Sequence, residues 1–345
     1  MSKTIVISPS GNFYGSEQVL WEFLNDTGNH YTLYVPAKSF FYQKLLREST
    51  PHRLKTFDRG KLPFLYSRIF FSLLLGQADA VYLNEAGHSR FLLLLATVFP
   101  GKRFVVHVRM LEDAQESRWR KRLPSNVRVI SISGSVGQKL PFPSELIYDP
   151  YRFSASRPVP VKKDPNRLVI GIIGRVTVTK GLGRLPELSE YLSEHAPGRF
   201  VFYLYGGISA TEGDKELVDG LTRLPDVHLK GFTENKDEIY DSIDCVLHLS
   251  VEEALGRIFF EAIDYGKPFL GFKIAGIAEI GSLTGLEELL VWPDDHWTEN
   301  LAARLREVDS AYGRFAERVR EARILATERF LPETYVGKID KLINR

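Results

Sequence analysis

Short runs that are apolar nearly throughout recur along this chain between longer segments of helical periodicity. That alternation restricts the fold more than any other feature. KTIVISPSG (3–11), HYTLYVP (30–36), DAVYLNE (79–85), RFVVHVR (103–109) and VRVISIS (127–133) form a first series. The first run ends in a glycine turn and leads into SEQVLWEFLND, read as a helix capped by Ser16. Strands without a polar face must be covered on both sides, and helices between them place them in a parallel sheet. The series halts at SRPVPVKKDPNR (156–167), where three prolines and a cluster of charges mark a linker. It resumes with LVIGIIGR (168–175), FVFYLYGG (200–207), VHLKGF (227–232), CVLHLS (245–250) and PFLGF (268–272). The expected fold class is therefore α/β, with two doubly wound, Rossmann-like domains, 1–160 and 161–328, facing across a cleft. RFLPETYVGKIDKLINR (329–345) reads as a terminal helix beyond Pro332 that packs back onto the first domain.

The charge balance removes one class of function. Lys and Arg number 45 against 43 acidic residues, a net charge of +2, whereas a general nucleic-acid binder carries a clear basic excess. Cys245, in SIDCVLHLS, is the single cysteine and can make no intramolecular disulfide; its apolar neighbours suggest a buried thiol in a reducing cytoplasm. The greasiest stretches, RIFFSLLLG (68–76) and RFLLLLATVFPG (90–101), fall short of the roughly 20 residues that span a bilayer. The opening MSKTIVISPSG is too short in its apolar run for a signal peptide. A cytoplasmic protein, soluble or resting on a membrane surface, is expected.

In doubly wound sheets ligands gather at the carboxyl ends of the strands. After LVIGIIG comes RVTVTKG: Gly171 and Gly174 let backbone approach a ligand, and Arg175 and Lys180 suit a diphosphate, the one by a bidentate grip and the other as a mobile point charge. After CVLHLS comes VEEALGRIFFEAIDYG. A helix beginning near Gly256 would offer the N–H groups around Ala254, Leu255 and Gly256 to phosphate oxygens. Glu253 then lies in the loop beside the anion, where it can accept from sugar hydroxyls. Glu261 lies about 7.5 Å along the helix axis, within reach of both hydroxyls of a ribose. Phe259, Phe260, Ala262 and Ile263 flank Glu261, so its carboxylate needs a specific partner.

GIIGRVTVTKGLGRL, the stretch from GFTENKDEIYDS to IAGIAEI, and the N-terminal SPSGNFYGSEQVL together resemble the GT4 family of retaining glycosyltransferases, which have the GT-B fold. The E-x7-E element is that family's best-known mark and runs here from Glu253 to Glu261; the likeness is strongest over about 168–282. The resemblance implies that Arg175 and Lys180 hold the donor's diphosphate and stabilise the leaving group. It implies that Glu261 binds the ribose and Glu253 the transferred sugar, that Gly15 and Ser16 close over the phosphates from the N-terminal domain, and that Phe232 packs near the base. Many members carry a histidine at the end of the fourth N-terminal strand. That strand reads RFVVHVRML here, with Arg109 at the equivalent place and His107 two residues earlier on the same side, so either is a catalytic candidate able to reach the cleft. The usual Asn-Gly after the last N-terminal strand is replaced by YDPYRF, with Asp149 for Asn; the usual glycine pair is Ala275 and Gly276.

The implied activity is transfer of a sugar from a nucleoside diphosphate to a hydroxyl of a glycan or lipid-linked acceptor, in cell-surface polysaccharide or glycoconjugate assembly. No metal site and no cofactor are expected. There is no Asp-x-Asp, no Cys/His cluster, and GLGRLP (181–186) has Pro186 where a dinucleotide fingerprint needs its third glycine. KSFFYQKLLRE (38–48), RGKLPFLYSRIFFSLLLGQ (59–77) and ESRWRKRLP (116–124) mix basic and large apolar residues in a way that suits an anionic membrane surface. Two other readings stay open: a non-catalytic GT-B-shaped subunit that binds a nucleotide or a partner, and a GT-B sugar-nucleotide epimerase.

Overall fold

The computed structural model describes residues 3–155, 157–208 and 211–344. The chain divides into two compact units, Met1–Arg152 with Phe330–Arg345, and Phe153–Arg329. Each is built on its own parallel sheet.

The first unit contains β1 (Thr4–Ile7), α1 (Gly15–Asp26), β2 (Thr32–Pro36), α2 (Phe40–Arg47), β3 (Arg53–Phe57), α3 (Leu62–Leu74), β4 (Ala80–Leu83), α4 (Ser89–Val98), β5 (Arg103–Val108), β6 (Val127–Ser131), α5 (Gly134–Lys139) and β7 (Glu145–Leu146). Its sheet runs β3-β2-β1-β4-β5-β6-β7, every pair parallel. The order reverses between β1 and β4, which makes that gap the switch point where loops leave in opposite directions. β1 and β4 are buried at every position, as strands covered on both faces must be.

The second unit contains β8 (Leu168–Ile173), α6 (Leu185–His195), β9 (Phe200–Tyr205), α7 (Glu212–Leu221), β10 (Val227–Gly231), α8 (Lys236–Ser242), β11 (Cys245–His248), α9 (Arg257–Asp264), β12 (Phe269–Phe272), α10 (Ala275–Thr284), β13 (Leu290–Val291), α11 (Trp297–Ser310) and α12 (Tyr312–Arg329). Its sheet runs β10-β9-β8-β11-β12-β13, again all parallel, with the switch point between β8 and β11.

The chain returns to the first unit through α13 (Pro332–Asn344). Pro332 opens this helix, where its missing N–H costs nothing. Tyr335, Ile339 and Ile343, spaced four apart, form one fully buried stripe. They join the core of Val19, Leu20, Phe23, Tyr31, Leu33 and Tyr82. Each such side chain contributes about 1.5–3 kcal/mol by leaving water, so α13 is an integral layer of this unit.

Two local expectations change. RLKTF forms β3, so RFVVHVR is the fifth strand rather than the fourth. β3 lies at the sheet edge and only Phe57 on it is buried, which leaves no apolar run to see. Ser16 does not cap α1. Tyr14 is the cap residue, Gly15 the first helical residue, and the Glu17 carboxylate folds back to accept from the Tyr14 N–H at 3.1 Å.

Candidate functional site

The two loops that leave the switch point of the second sheet carry the residues singled out in the sequence. Beyond β8 the chain passes exposed Gly174 and Arg175 and tightens into a 3-10 turn over Val178–Lys180. Gly181 ends that turn with φ +76, and a Cβ there would stand 1.9 Å from the Leu249 carbonyl oxygen. Only glycine lets the turn lie against the end of β11. The turn is pinned from the other side by Asp214 of α7, buried, whose Oδ1 accepts from the Val178 N–H at 2.8 Å. Sequence reasoning passed over Asp214, because nothing local distinguishes it from the other acids of a charged helix start.

Pressing the first loop onto the second brings Lys180 Nζ to 2.9 Å from Glu253 Oε2. His248, at the end of β11, places Nε2 3.5 Å from the same oxygen. Burial acts to raise the Glu253 carboxyl, but the contacts from His248 and Lys180 outweigh it and hold the group down at about 2. Glu253 is therefore ionised throughout the neutral range.

Beyond Glu253 the backbone turns through Gly256, the N-cap of α9, at φ +87; a Cβ there would lie 2.1 Å from Ile277. No side chain caps this helix end. Gly276, in the first turn of α10, packs on the same segment so closely that a Cβ would stand 2.4 Å from the Ala254 carbonyl oxygen. Leu255 and Gly256 are buried and Ala254 half-buried, so the Ala254–Gly256 backbone is fixed between α9 and α10. A helix N-terminus held this rigidly is suited to an anion.

Glu261 sits on α9 one and a third turns beyond Gly256, an interval of about 7.5 Å. Its side chain is half-buried and has the specific partners its surroundings demanded: Lys236 Nζ lies 2.8 Å from Oε1, and the Tyr240 hydroxyl donates to Oε2 at 3.3 Å. Both come from α8, and neither was anticipated. Phe232, just past β10, is 72% exposed, an aromatic face left open to solvent. Arg175, Lys180, Glu253, Ala254, Leu255, Gly256 and Phe232 thus lie on loops and turns at the carboxyl side of the second sheet, with Glu261 further along α9.

The remaining candidates belong to the first unit. Gly15 and Ser16 open α1, after β1, and the Ser16 hydroxyl lies between the carboxylates of Glu17 and Glu85, within hydrogen-bond reach of both; Glu85 follows β4 by two positions. These acids flank the switch point of the first sheet. Glu17 is fully buried, with Oε1 lacking a partner among the described residues. Burial pushes the Glu85 carboxyl up, and the Glu17 charge pushes it further. Neither acid was picked out from the sequence.

His107 and Arg109 enter a closed polar network rather than solvent. Arg109 donates to Asp149, to the Asn84 backbone oxygen at 2.9 Å, to the Asn84 side chain at 3.2 Å and to the Tyr335 hydroxyl at 3.0 Å. The same guanidinium lies 3.2 Å from His107 Nδ1. The Tyr82 hydroxyl meets the same Nδ1 at 2.9 Å, while Nε2 is buried without a partner among the described residues. Burial, reinforced by the Arg109 charge, holds His107 well below the ordinary imidazole range, hence neutral. Asp149, which stands where the resembling family has Asn, supplies the countercharge that Arg109 requires.

Residues 167–309 match the family model described as glycosyl transferases group 1. No curated protein matches the chain by sequence. Among solved structures, HepE of Anabaena in complex with UDP and glucose superposes with a TM-score of 0.76 at 19% identity, covering 99% of both chains. The apo form of the lipopolysaccharide outer core galactosyltransferase WaaB gives 0.72 at 15% identity, again over 99% of both. A glycosyltransferase of Rickettsia africae gives 0.71 at 20%, over 99% of this chain and 98% of that one.

The fold is GT-B. Within this GT-B chain the matched stretch contains Arg175, Lys180, Phe232, Glu253 and Glu261, the whole constellation of the second sheet. His107, Arg109, Gly15 and Ser16 lie outside it.

Proposed function

We propose that this protein is a glycosyltransferase that moves a sugar from a nucleoside diphosphate to a hydroxyl of a glycan or lipid-linked acceptor, with retention at the anomeric carbon. The observation that carries the reading is the order of groups along one path: Lys180 on Glu253, the fixed backbone of Ala254–Gly256, then Glu261 further along α9. This is the sequence of contacts that a sugar, a diphosphate and a ribose present in a nucleotide-sugar. The match of residues 167–309 to group 1 glycosyl transferases supports it, as do neighbours whose structures hold UDP, UDP with glucose, or UDP-glucose.

In this reading Glu253 accepts hydrogen bonds from the transferred sugar, and Glu261, oriented by Lys236 and Tyr240, accepts from the ribose. Phe232 offers its open face to the base, and Gly174 lets the backbone approach. As the glycosidic bond breaks, charge grows on the β-phosphate. Arg175, Lys180 and the N-terminus of α9 stabilise it in the place a divalent cation would otherwise take, so transfer proceeds without metal. Removing one such preorganised donor commonly lowers a rate by about 10²–10³. Retention follows the GT4 resemblance, in which the leaving phosphate takes the acceptor proton on the same face. The first unit is left to receive the acceptor, with His107 and Arg109 holding the ends of its central strands. The work is cytoplasmic, at the inner face of a membrane, in cell-surface polysaccharide or glycoconjugate assembly.

The test is thermal unfolding with UDP, GDP, dTDP, ADP and CMP in the presence of EDTA, on the wild type and on Arg175→Ala and Glu261→Ala. A ligand at about 100 times its Kd adds roughly 2.7 kcal/mol. One nucleotide should raise the midpoint by several degrees, and both variants should lose the effect. Failure of every nucleotide to shift the wild type would exclude a donor-binding transferase.

A further inference from the structure

The first unit carries an apolar surface that its own core does not use. On α3 and its C-cap, Phe64, Phe71, Leu74 and Leu75 are 70%, 55%, 57% and 66% exposed, while Leu65, Ile69 and Leu73 of the helix are buried. The helix is thus apolar on both faces. Spacings of seven and three or four residues put the exposed four on one outward stripe, with Ser67 and Arg68 between them. α4 lies alongside: Tyr66 stacks on Phe91 at 3.8 Å between centroids, and Phe70 meets Phe99 at 5.2 Å. It adds Leu94 and Val98, both more than half exposed and one turn apart. An amphipathic helix of a soluble domain turns charges outward at such positions, so this face is built for contact.

Its charges identify the occupant. Residues 59–78 and 86–111 contain no Asp or Glu at all, while Arg59, Lys61, Arg68 and Arg90 are exposed there. None of these four cations forms an ion pair among the described residues. Arg68 reaches from the stripe to the β3 edge, where it donates to the Thr56 carbonyl at 3.2 Å and lies over the Tyr34 ring. A bilayer with anionic headgroups satisfies both halves of the pattern: aromatic and leucine side chains enter the acyl boundary, and the cations stay among the phosphates. No helix among the described residues is long and apolar enough to cross a membrane.

We infer that the outward face of α3 and α4 docks the protein on an anionic membrane surface, lying in its interface rather than spanning it. This stands independently of the donor site.

The experiment is flotation of the full chain with vesicles of phosphatidylcholine alone and of phosphatidylcholine containing phosphatidylglycerol. It compares the wild type, Phe71→Glu/Leu74→Glu and Arg59→Gln/Lys61→Gln/Arg68→Gln. All five changes are at solvent-exposed positions, and circular dichroism checks the fold. The expected result is binding to the anionic vesicles only, reduced at least about tenfold in both variants and weakened by raised salt, as screening requires. Absence of the wild type from the anionic vesicle fraction overturns the inference. So does binding that survives both variants, which places the contact elsewhere. A dimer in gel filtration that the glutamate variant abolishes, with no vesicle binding, would assign the face to a second copy instead.

Discussion

Lys180 Nζ and Glu253 Oε2 are 2.9 Å apart, joining the loop after β8 to the loop after β11 across the gap where the order of the second sheet reverses. The pair does two opposite things to a bound diphosphate. Glu253 holds Lys180 in place, which removes the entropy cost of ordering a long side chain. It also offers that cation a competing anion.

The roles can therefore be separated by substitution. Lys180→Met should weaken binding of the cognate nucleoside diphosphate by at least about tenfold, a loss of about 1.4 kcal/mol. Glu253→Gln removes the competing charge, so nucleoside diphosphate affinity should hold or rise while kcat for transfer falls by about 10² or more. Isothermal titration and turnover on the same preparations decide it. Equal loss of affinity in both variants would mean that Glu253 only positions the lysine.

The same carboxylate has a sign-definite pH signature. Its folded value, about 2, lies below its ordinary 4.5, so its contribution to stability is complete above about pH 4.5 and is lost as pH falls toward 2. Lys180 is 34% exposed, and solvent screening trims the effect to about 1–2 kcal/mol. Urea unfolding should show Glu253→Gln less stable than wild type by that amount at pH 7, with the gap closing in acid. A gap that stays constant down to pH 3 and below would show that Glu253 packs rather than pairs.

How much of this was readable in advance depends on whether a residue's role is local. The alternation of apolar runs and helices reports burial on both faces of a strand, so it revealed both sheets. It missed β3, an edge strand whose polar RLKTF carries no such signal. Glu261, among Phe259, Phe260 and Ile263, advertised that it needed a partner. It could not say that Lys236 and Tyr240 would supply it, because the packing of α8 on α9 is a tertiary fact. Asp214 and Glu85 were silent for the same reason: each acts on a loop that only the folded sheet brings near. Strand periodicity put His107 and Arg109 on one side and within reach of a ligand, whereas the structure buries both. Their enclosure depends on Tyr335, more than 200 residues away in sequence.

Gly181 tests whether the loop after β8 must lie on β11. Ala at 181 combines a left-handed φ of +76 with a Cβ 1.9 Å from a backbone oxygen; neither can be relieved by a rotamer change. Strain of this kind costs on the order of 1–3 kcal/mol, and relieving it separates the loop that carries Lys180 from the end of β11. Gly181→Ala should lower the melting midpoint and reduce nucleotide affinity together, whereas Gly183→Ala, with open space around its Cβ, should leave both near wild type. A Gly181→Ala protein with unchanged nucleotide affinity would show that the close approach is dispensable for binding.

Arg109 and Asp149 make the sharpest stability prediction in the first unit. Their side chains are 3% and 5% exposed, so neither charge can be rescued by water. Removing one partner of such a pair leaves the other ionised in a poorly polarisable interior, at a cost of about 3–5 kcal/mol. Asp149→Asn keeps the shape and deletes the charge; it should destabilise the protein by that order while leaving nucleotide affinity within about twofold, since Arg175, Lys180, Glu253 and Glu261 all belong to the second unit. Arg109→Met with Asp149→Asn removes both charges and should recover part of the loss. The double mutant decides between charge and packing: recovery identifies the buried ion pair as the source, and additive losses would mean that Arg109 matters chiefly through its bonds to Asn84 and Tyr335.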